Sequence, residues 1–301
     1  MQVEVNIVNA FTRNGTGGNP AGVVLDADSL DDAAMLQIAA QVGLSETAFV
    51  SRSATEGAKL DFFTPARRIA HCGHATIGAF SLMRQKNRIG SGVTSKETVD
   101  GPRLIEIDDE DVFMEQSAPA YEPPFKWVGR GVTLADVLLS VGIGEAALDP
   151  AVTPQVVDTG NRFLLIGLSS IDVLAAIAPD QEKITAVSEA LDLIGYYLFV
   201  TGDEALPFDA TTRMFAPRFG IPEESATGMA AGPLACLLHD HLHVTRAPYL
   251  IEQGAFMGAP SPSLIRVNLE LRSGTIVGLM AGGQGTVRET RQVTIADPTT
   301  R

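Results

Sequence analysis

Apolar and polar residues alternate from the start of the chain, and MQVEVNIVNAFT reads as a half-buried strand. The same period, or short apolar runs bounded by turn residues, predicts strands at AGVVLD, TAFVSR, LDFFTP, RLIEID and DVFMEQ. Later strands are expected at PQVVDTG, RFLLIGL, YYLFVTG, DATTRMF, PYLIEQG, SLIRVNLEL, GTIVGLM and RQVTIAD. Helical spacing is rarer. LDDAAMLQIAAQVG carries Asp at its start and apolar positions at helical intervals, and HATIGAFSLMRQ, LADVLLSVG, IDVLAAIA, KITAVSEALDLI and GMAAGPLACLLHDHL read the same way. A Pro-rich piece, SAPAYEPPFKWVGRG (117–131), is the best linker candidate. GLMAGGQGTVRETRQ (278–292) reads first as a turn between two strands, the alternatives being that it closes the sheet or offers backbone amides to a carboxylate.

One pattern occurs twice. FFTPARRIAHCGHATIGAFSL has a counterpart in RMFAPRFGIPEESATGMAAGPLACL, with Phe63 and Pro65 matching Phe215 and Pro217, and Ala75-Thr76 matching Ala226-Thr227. Each copy runs strand, turn, small-residue loop, apolar helix. The repeat predicts two related lobes facing a cleft, each aiming a helix N-terminus at it.

Composition narrows the class. At 301 residues two domains are the default, and 45% hydrophobic residues mark a folded globular protein. The balance of 36 acidic against 22 basic residues argues against a nucleic-acid partner. Two cysteines, Cys72 and Cys236, make no disulfide framework and fit a reducing cytoplasm. No signal peptide or membrane-length apolar run is visible.

The stretch HCGH concentrates candidate chemistry in His71, Cys72 and His74. Adjacent side chains point apart, and zinc needs three or four ligands, so no metal site is expected there. A thiol acid/base at Cys72 would sit at a helix N-terminus, which favours the thiolate. A two-thiol mechanism would need a second cysteine at EESATGMA, where none stands. The remaining reading is a helix start whose free amides bind an anion and which presents His74; equally, His74 caps its own helix. GLSETAFV places Glu46 between a helix and a strand, and GIPEESATGMA places Glu223 and Glu224 before the matching helix of the second copy.

GGNPAGVVLD, GLSETAFV, FFTPARRIAHCGHAT, DTGNRFLLIGL and RMFAPRFGIPEESATGMAAGPLA fall together, in order, in the pattern of one family. The chain resembles the phenazine-biosynthesis (PhzF-like) isomerases from residue 9 to about residue 282. The resemblance implies an α+β, diaminopimelate-epimerase-like fold of two similar pseudo-symmetric lobes, each a mostly antiparallel sheet wrapped around a central helix. The expected lobes are 1–118 and 119–301, the last strand returning to the first lobe. It also implies a cytoplasmic homodimer with no metal or organic cofactor, acting on a small carboxylate.

Roles carried over by the resemblance put Glu46 as the acid/base that moves a proton between carbons of a dihydro-hydroxyanthranilate-type ring acid. His74 and Glu224 complete the expected catalytic set. Asn19, Gly73, Ala75, Thr227, Gly228 and Met229 would bind substrate. Two positions depart from the family pattern: Glu224 stands where Asp is usual, and Met229 where Ser is usual. Competing readings are a cysteine-assisted epimerase or racemase using Cys72, and a non-catalytic binding protein on the same fold.

Overall fold

A computed structural model describes residues 1–202 and 207–295. The end of the expected strand RQVTIAD, and of the expected second lobe, lies outside them. The chain divides into two compact units, Met1–Glu115 joined by the stretch from Gly282, and Gln116–Ala281.

In the first unit, strands β1 (Gln2–Ala10), β2 (Asn19–Val24), β3 (Thr47–Ser51) and β4 (Ala58–Phe63) precede β5 (Arg68–Ile69), β6 (Gly92–Glu97), β7 (Arg103–Asp108) and β8 (Asp111–Ser117). Helix α1 (Asp32–Val42) links β2 to β3, and α2 (Gly73–Gln85) links β5 to β6. β1 and β2 are antiparallel, β2 and β3 parallel, and β4 pairs antiparallel with β3 and β5 but parallel with β6. β6, β7 and β8 form an antiparallel meander.

Helix α2 is buried from Gly73 through Met83, so its whole circumference meets protein. Gly and Ala spaced through GHATIGAFSLM keep it narrow enough for β1 and β2 to pack on it; a Cβ on Gly78 would only touch Val8 and Val23 at 3.5–3.8 Å. Helix α1 covers the other face of the sheet. Its Met35, Ile38 and Val42 join Val5, Ile7, Phe49 and Phe63 in one apolar cluster. Asp31 caps α1 by accepting from Ala34 N at 2.8 Å.

The second unit repeats this order. Strands β9 (Ala120–Glu122), β10 (Gln155–Asp158), β11 (Arg162–Gly167), β12 (Gly195–Thr201), β13 (Ala210–Ala216), β14 (Ile221–Glu224), β15 (Tyr249–Gln253) and β16 (Ser263–Arg272) surround helix α6 (Gly228–Leu242). Helices α3 (Leu134–Ser140), α4 (Ile171–Ala176) and α5 (Gln181–Leu191) lie before β13 in the chain. The pairings β11–β12 parallel, β12–β13 and β13–β14 antiparallel, β13–β15 parallel and β15–β16 antiparallel match those of β2 through β7 one for one. The duplicated motif is thus the visible part of a repeat that covers each sheet and its central helix. The fold is α+β, as the resemblance implied.

Two expectations need correction. The Pro-rich piece at 117–131 is no free linker: it holds β9, and Trp127 is fully buried in the second unit's core beside Val156, Leu164 and Tyr196. Nor is the Gly-rich tail a turn. β17 (Thr275–Thr294) runs unbroken through it and pairs antiparallel with β1. Its glycines answer to sterics, since a Cβ on Gly282 would sit 2.1 Å from the Val112 carbonyl oxygen and one on Gly285 2.6 Å from the Ser81 Cβ.

Candidate active site

Caps distinguish the helices. α1, α3, α4 and α5 each begin with an Asp, Thr or Ser side chain that accepts from a first-turn amide. The two central helices have no side-chain cap, although α2 begins after Cys72 and α6 after Thr227. Both therefore present first-turn amides at the positive end of the helix dipole, which suits an anion. The alternative that His74 caps its own helix does not hold.

At the start of α2 three side chains meet. Glu46 follows the end of α1, where Gly43 takes φ 70°, and its carbonyl accepts from Gly22 N at 3.0 Å, fixing the residue before β3. Its Oε2 lies 3.3 Å from His74 Nε2. The other ring nitrogen, Nδ1, shares a 3.6 Å hydrogen bond with Cys72 Sγ. All three residues are buried, with Glu46 8% and His74 5% exposed. Asn19, Gly73 and Ala75 are buried in the same unit, Asn19 at the head of β2 opposite Ala10.

The donor atoms of Glu46, Cys72 and His74 lie within 4.8 Å of one another. Glu46 faces one imidazole nitrogen and Cys72 the other, so the ring of His74 stands between the carboxylate and the thiol. His71, the other half of the HCGH question, turns away. Its Nδ1 is 3.1 Å from the Lys96 amine.

Lys96 is the residue that sequence reasoning missed. It is fully buried in β6, donating to Thr76 Oγ1 at 2.7 Å, and Thr76 in turn donates to the Cys72 carbonyl at 2.6 Å. This chain of bonds ties the first turn of α2 to the sheet. Burial pushes the amine down to about 7, against the opposing influence of Cys72. Burial also pushes His71 down to about 3, with Lys96 and Arg103 adding to the effect. A lysine at the single buried position of β6 carries no signal in GVTSKE, because lysines in such strands ordinarily face solvent.

The second unit gathers Glu224, Thr227, Gly228 and Met229 around the start of α6. Thr227 Oγ1 donates to the Glu224 carboxylate, and Asn161 Nδ2 lies 3.5 Å from Met229 Sδ. Gln116 donates to the Gly228 carbonyl at 2.9 Å. Gln253, fully buried and also absent from the sequence reading, organises the loop: it accepts from Thr227 N and Tyr197 OH and donates to the Glu224 carbonyl. Glu223 is drawn off by Arg213 into a 2.8 Å ion pair. Cys236 lies inside α6, fully buried and pushed up to about 12 by burial, which removes it as a second thiol base.

A model of phenazine biosynthesis-like proteins matches residues 8–289. An uncharacterized isomerase of Escherichia coli K12, YddE, is 33% identical over 245 residues, 80% of each chain. The trans-2,3-dihydro-3-hydroxyanthranilate isomerase of Pseudomonas fluorescens is 30% identical over 93% of this chain and 95% of its own. The crystal structure of a Bacillus anthracis protein of the PhzF family superposes with a TM-score of 0.85 over 98% of this chain and all of that one, at 23% identity. No helix among the described residues is long and apolar enough to cross a membrane.

Proposed function

The chain belongs to the phenazine biosynthesis-like family, whose relatives are named isomerases, and from that premise we propose that it moves a proton between two carbons of a small unsaturated ring carboxylate, with Glu46 as the acid/base. The contact between Glu46 and His74 at the uncapped start of α2 carries this reading. A buried carboxylate beside an imidazole can accept a proton from an sp³ carbon, hold it, and return it to a second carbon on the same face. His74 fixes the carboxylate's orientation and shares the proton while the substrate is a delocalised anion. Amides of Gly73, His74 and Ala75 supply the donors for the substrate carboxylate, and Asn19 a further polar contact. Buried surroundings strengthen each of these interactions.

Trans-2,3-dihydro-3-hydroxyanthranilate is the first substrate to test, because a relative covering nearly the whole chain is named for it. Met229 and Glu224 stand where the family pattern has Ser and Asp, so related ring carboxylates are the next substrates to test. Wild type and Glu46→Gln would be incubated with this substrate in deuterated water and followed by NMR. Loss of substrate in wild type alone supports the proposal, and deuterium in the product reports a proton that exchanges on Glu46 before its return. Equal turnover by both proteins would remove Glu46 from the chemistry.

A further inference from the structure

The turn from α1 to β3 and the start of α2 bring together three different metal-binding side chains, a meeting that ligand spacing along HCGH could not foresee. One donor atom each from Glu46, Cys72 and His74 lies within 4.8 Å of the other two, and all three residues are buried. Carboxylate, thiolate and imidazole are the groups with which proteins bind zinc. His71 stays with Lys96 and takes no part.

A second observation points to a cation. Oε2 of Glu46 is closed off from water and accepts no hydrogen bond, although His74 Nε2 stands 3.3 Å away. Leaving a buried carboxylate oxygen in that condition is costly, and a bound cation answers it. Tetrahedral zinc, with bonds of about 2.0–2.1 Å, holds a nitrogen and an oxygen ligand about 3.3 Å apart, which is the separation of this pair. A sulfur ligand, bonded at about 2.3 Å, stands about 3.6 Å from either of them. Sγ already lies within 4.8 Å of the carboxylate, so a shift of about 1 Å, which releases Nδ1, completes the set. Zinc with one carboxylate, one thiolate and a neutral imidazole carries no net charge, which suits a buried place.

We propose that Glu46, Cys72 and His74 bind a single Zn²⁺ ion, with water completing the tetrahedron. Binding forms three bonds from protein to zinc and releases the Cys72 thiol proton to solvent, with nothing oxidised or reduced. His74 binds through Nε2 and stays neutral, its own proton resting on Nδ1. The ion takes up the carboxylate lone pair that proton transfer requires, so under the isomerase reading it inhibits rather than assists. The site itself goes beyond that reading and is tested without substrate, so either can fail alone.

Chelator-treated protein would be titrated with Zn²⁺ by calorimetry and with Co²⁺ by absorption spectroscopy. Both are run at about pH 8, where the Lys96 amine, pushed down to about 7 by burial, is mostly neutral and adds little opposing charge. The expected result is one Zn²⁺ per chain, bound at least about a hundredfold more tightly than by Glu46→Gln, Cys72→Ser or His74→Asn, each checked for folding by circular dichroism. The Co²⁺ complex should show the intense visible bands of four-coordination and a sulfur-to-cobalt band in the near ultraviolet. Cys72→Ser should lack the sulfur band, since Cys236 is fully buried inside α6. A six-coordinate, sulfur-free Co²⁺ spectrum in wild type, or no saturable Zn²⁺ binding, overturns the proposal without recourse to any variant. Zn²⁺ bound as tightly by folded Cys72→Ser or Glu46→Gln overturns it equally, because the ion then sits elsewhere.

Discussion

Nε2 of His74 lies 3.3 Å from Oε2 of Glu46, although 28 positions of sequence separate the two residues. One comes from the turn before β3 and the other from the first turn of α2. Parallel pairing of β2 with β3 and the burial of α2 behind both strands make that meeting obligatory. An acid and a base held together out of water are the elements of a proton-transfer site.

Removing either member should separate chemistry from folding. Glu46→Gln is expected to lower turnover by about 10²–10⁴-fold with an unchanged circular dichroism spectrum. His74→Asn should lower kcat by a smaller factor, because the carboxylate remains but loses its partner. Steady-state kinetics beside a thermal melt checks both.

Stability should rise with pH in two windows. The unfolded chain protonates His71 below its ordinary pKa of 6.5, whereas in the folded state burial holds it neutral down to about 3. The unfolded state therefore binds more protons between those values, and acid destabilises the fold by up to about 1.4 kcal/mol per pH unit. His71→Asn should flatten this limb in urea titrations at pH 4, 5 and 7. Lys96 repeats the argument between about 7 and 10.5, where burial keeps it neutral in the folded state alone. Folded Lys96→Met should be more stable than wild type at pH 6, with the gain shrinking toward pH 10.

Gln253 joins three segments of the second unit through one amide. Its replacement by Leu leaves the Thr227 amide and the Glu224 carbonyl without this partner in a buried place. Each lost partner costs about 1–3 kcal/mol, so chemical denaturation should show a drop of roughly 2–6 kcal/mol. Gln253→Glu restores only the acceptor and should recover part of the loss.

At Gly282, β17 lies directly against β8. A Cβ there would meet the Val112 carbonyl oxygen at 2.1 Å and the Phe113 Cα at 2.6 Å, both backbone atoms that cannot swing aside. Gly282→Ala should lower the melting temperature by several degrees or prevent folding, whereas Gly90→Ala, with open space around it, should change little.

Local pattern settled a good deal of this protein. Alternation placed β1 through β4, helical spacing and Asp31 placed α1, and the doubled FxP-to-helix motif announced a repeat whose topology the two units share. Those features come from residues near one another in the chain, where period and capping chemistry act directly. Glu46 and His74 were legible as residues, through the motifs around them. Their meeting, the turning of His71 away from Cys72, and the uncapped start of α2 belong to the tertiary structure. So do Lys96 and Gln253, polar residues whose burial no local period records. The Gly-rich tail was misread for the same reason. Glycine signals a turn when only neighbours are considered, but at Gly282 and Gly285 it meets the close approach of Val112 and Ser81, set by strands and a helix far away in sequence.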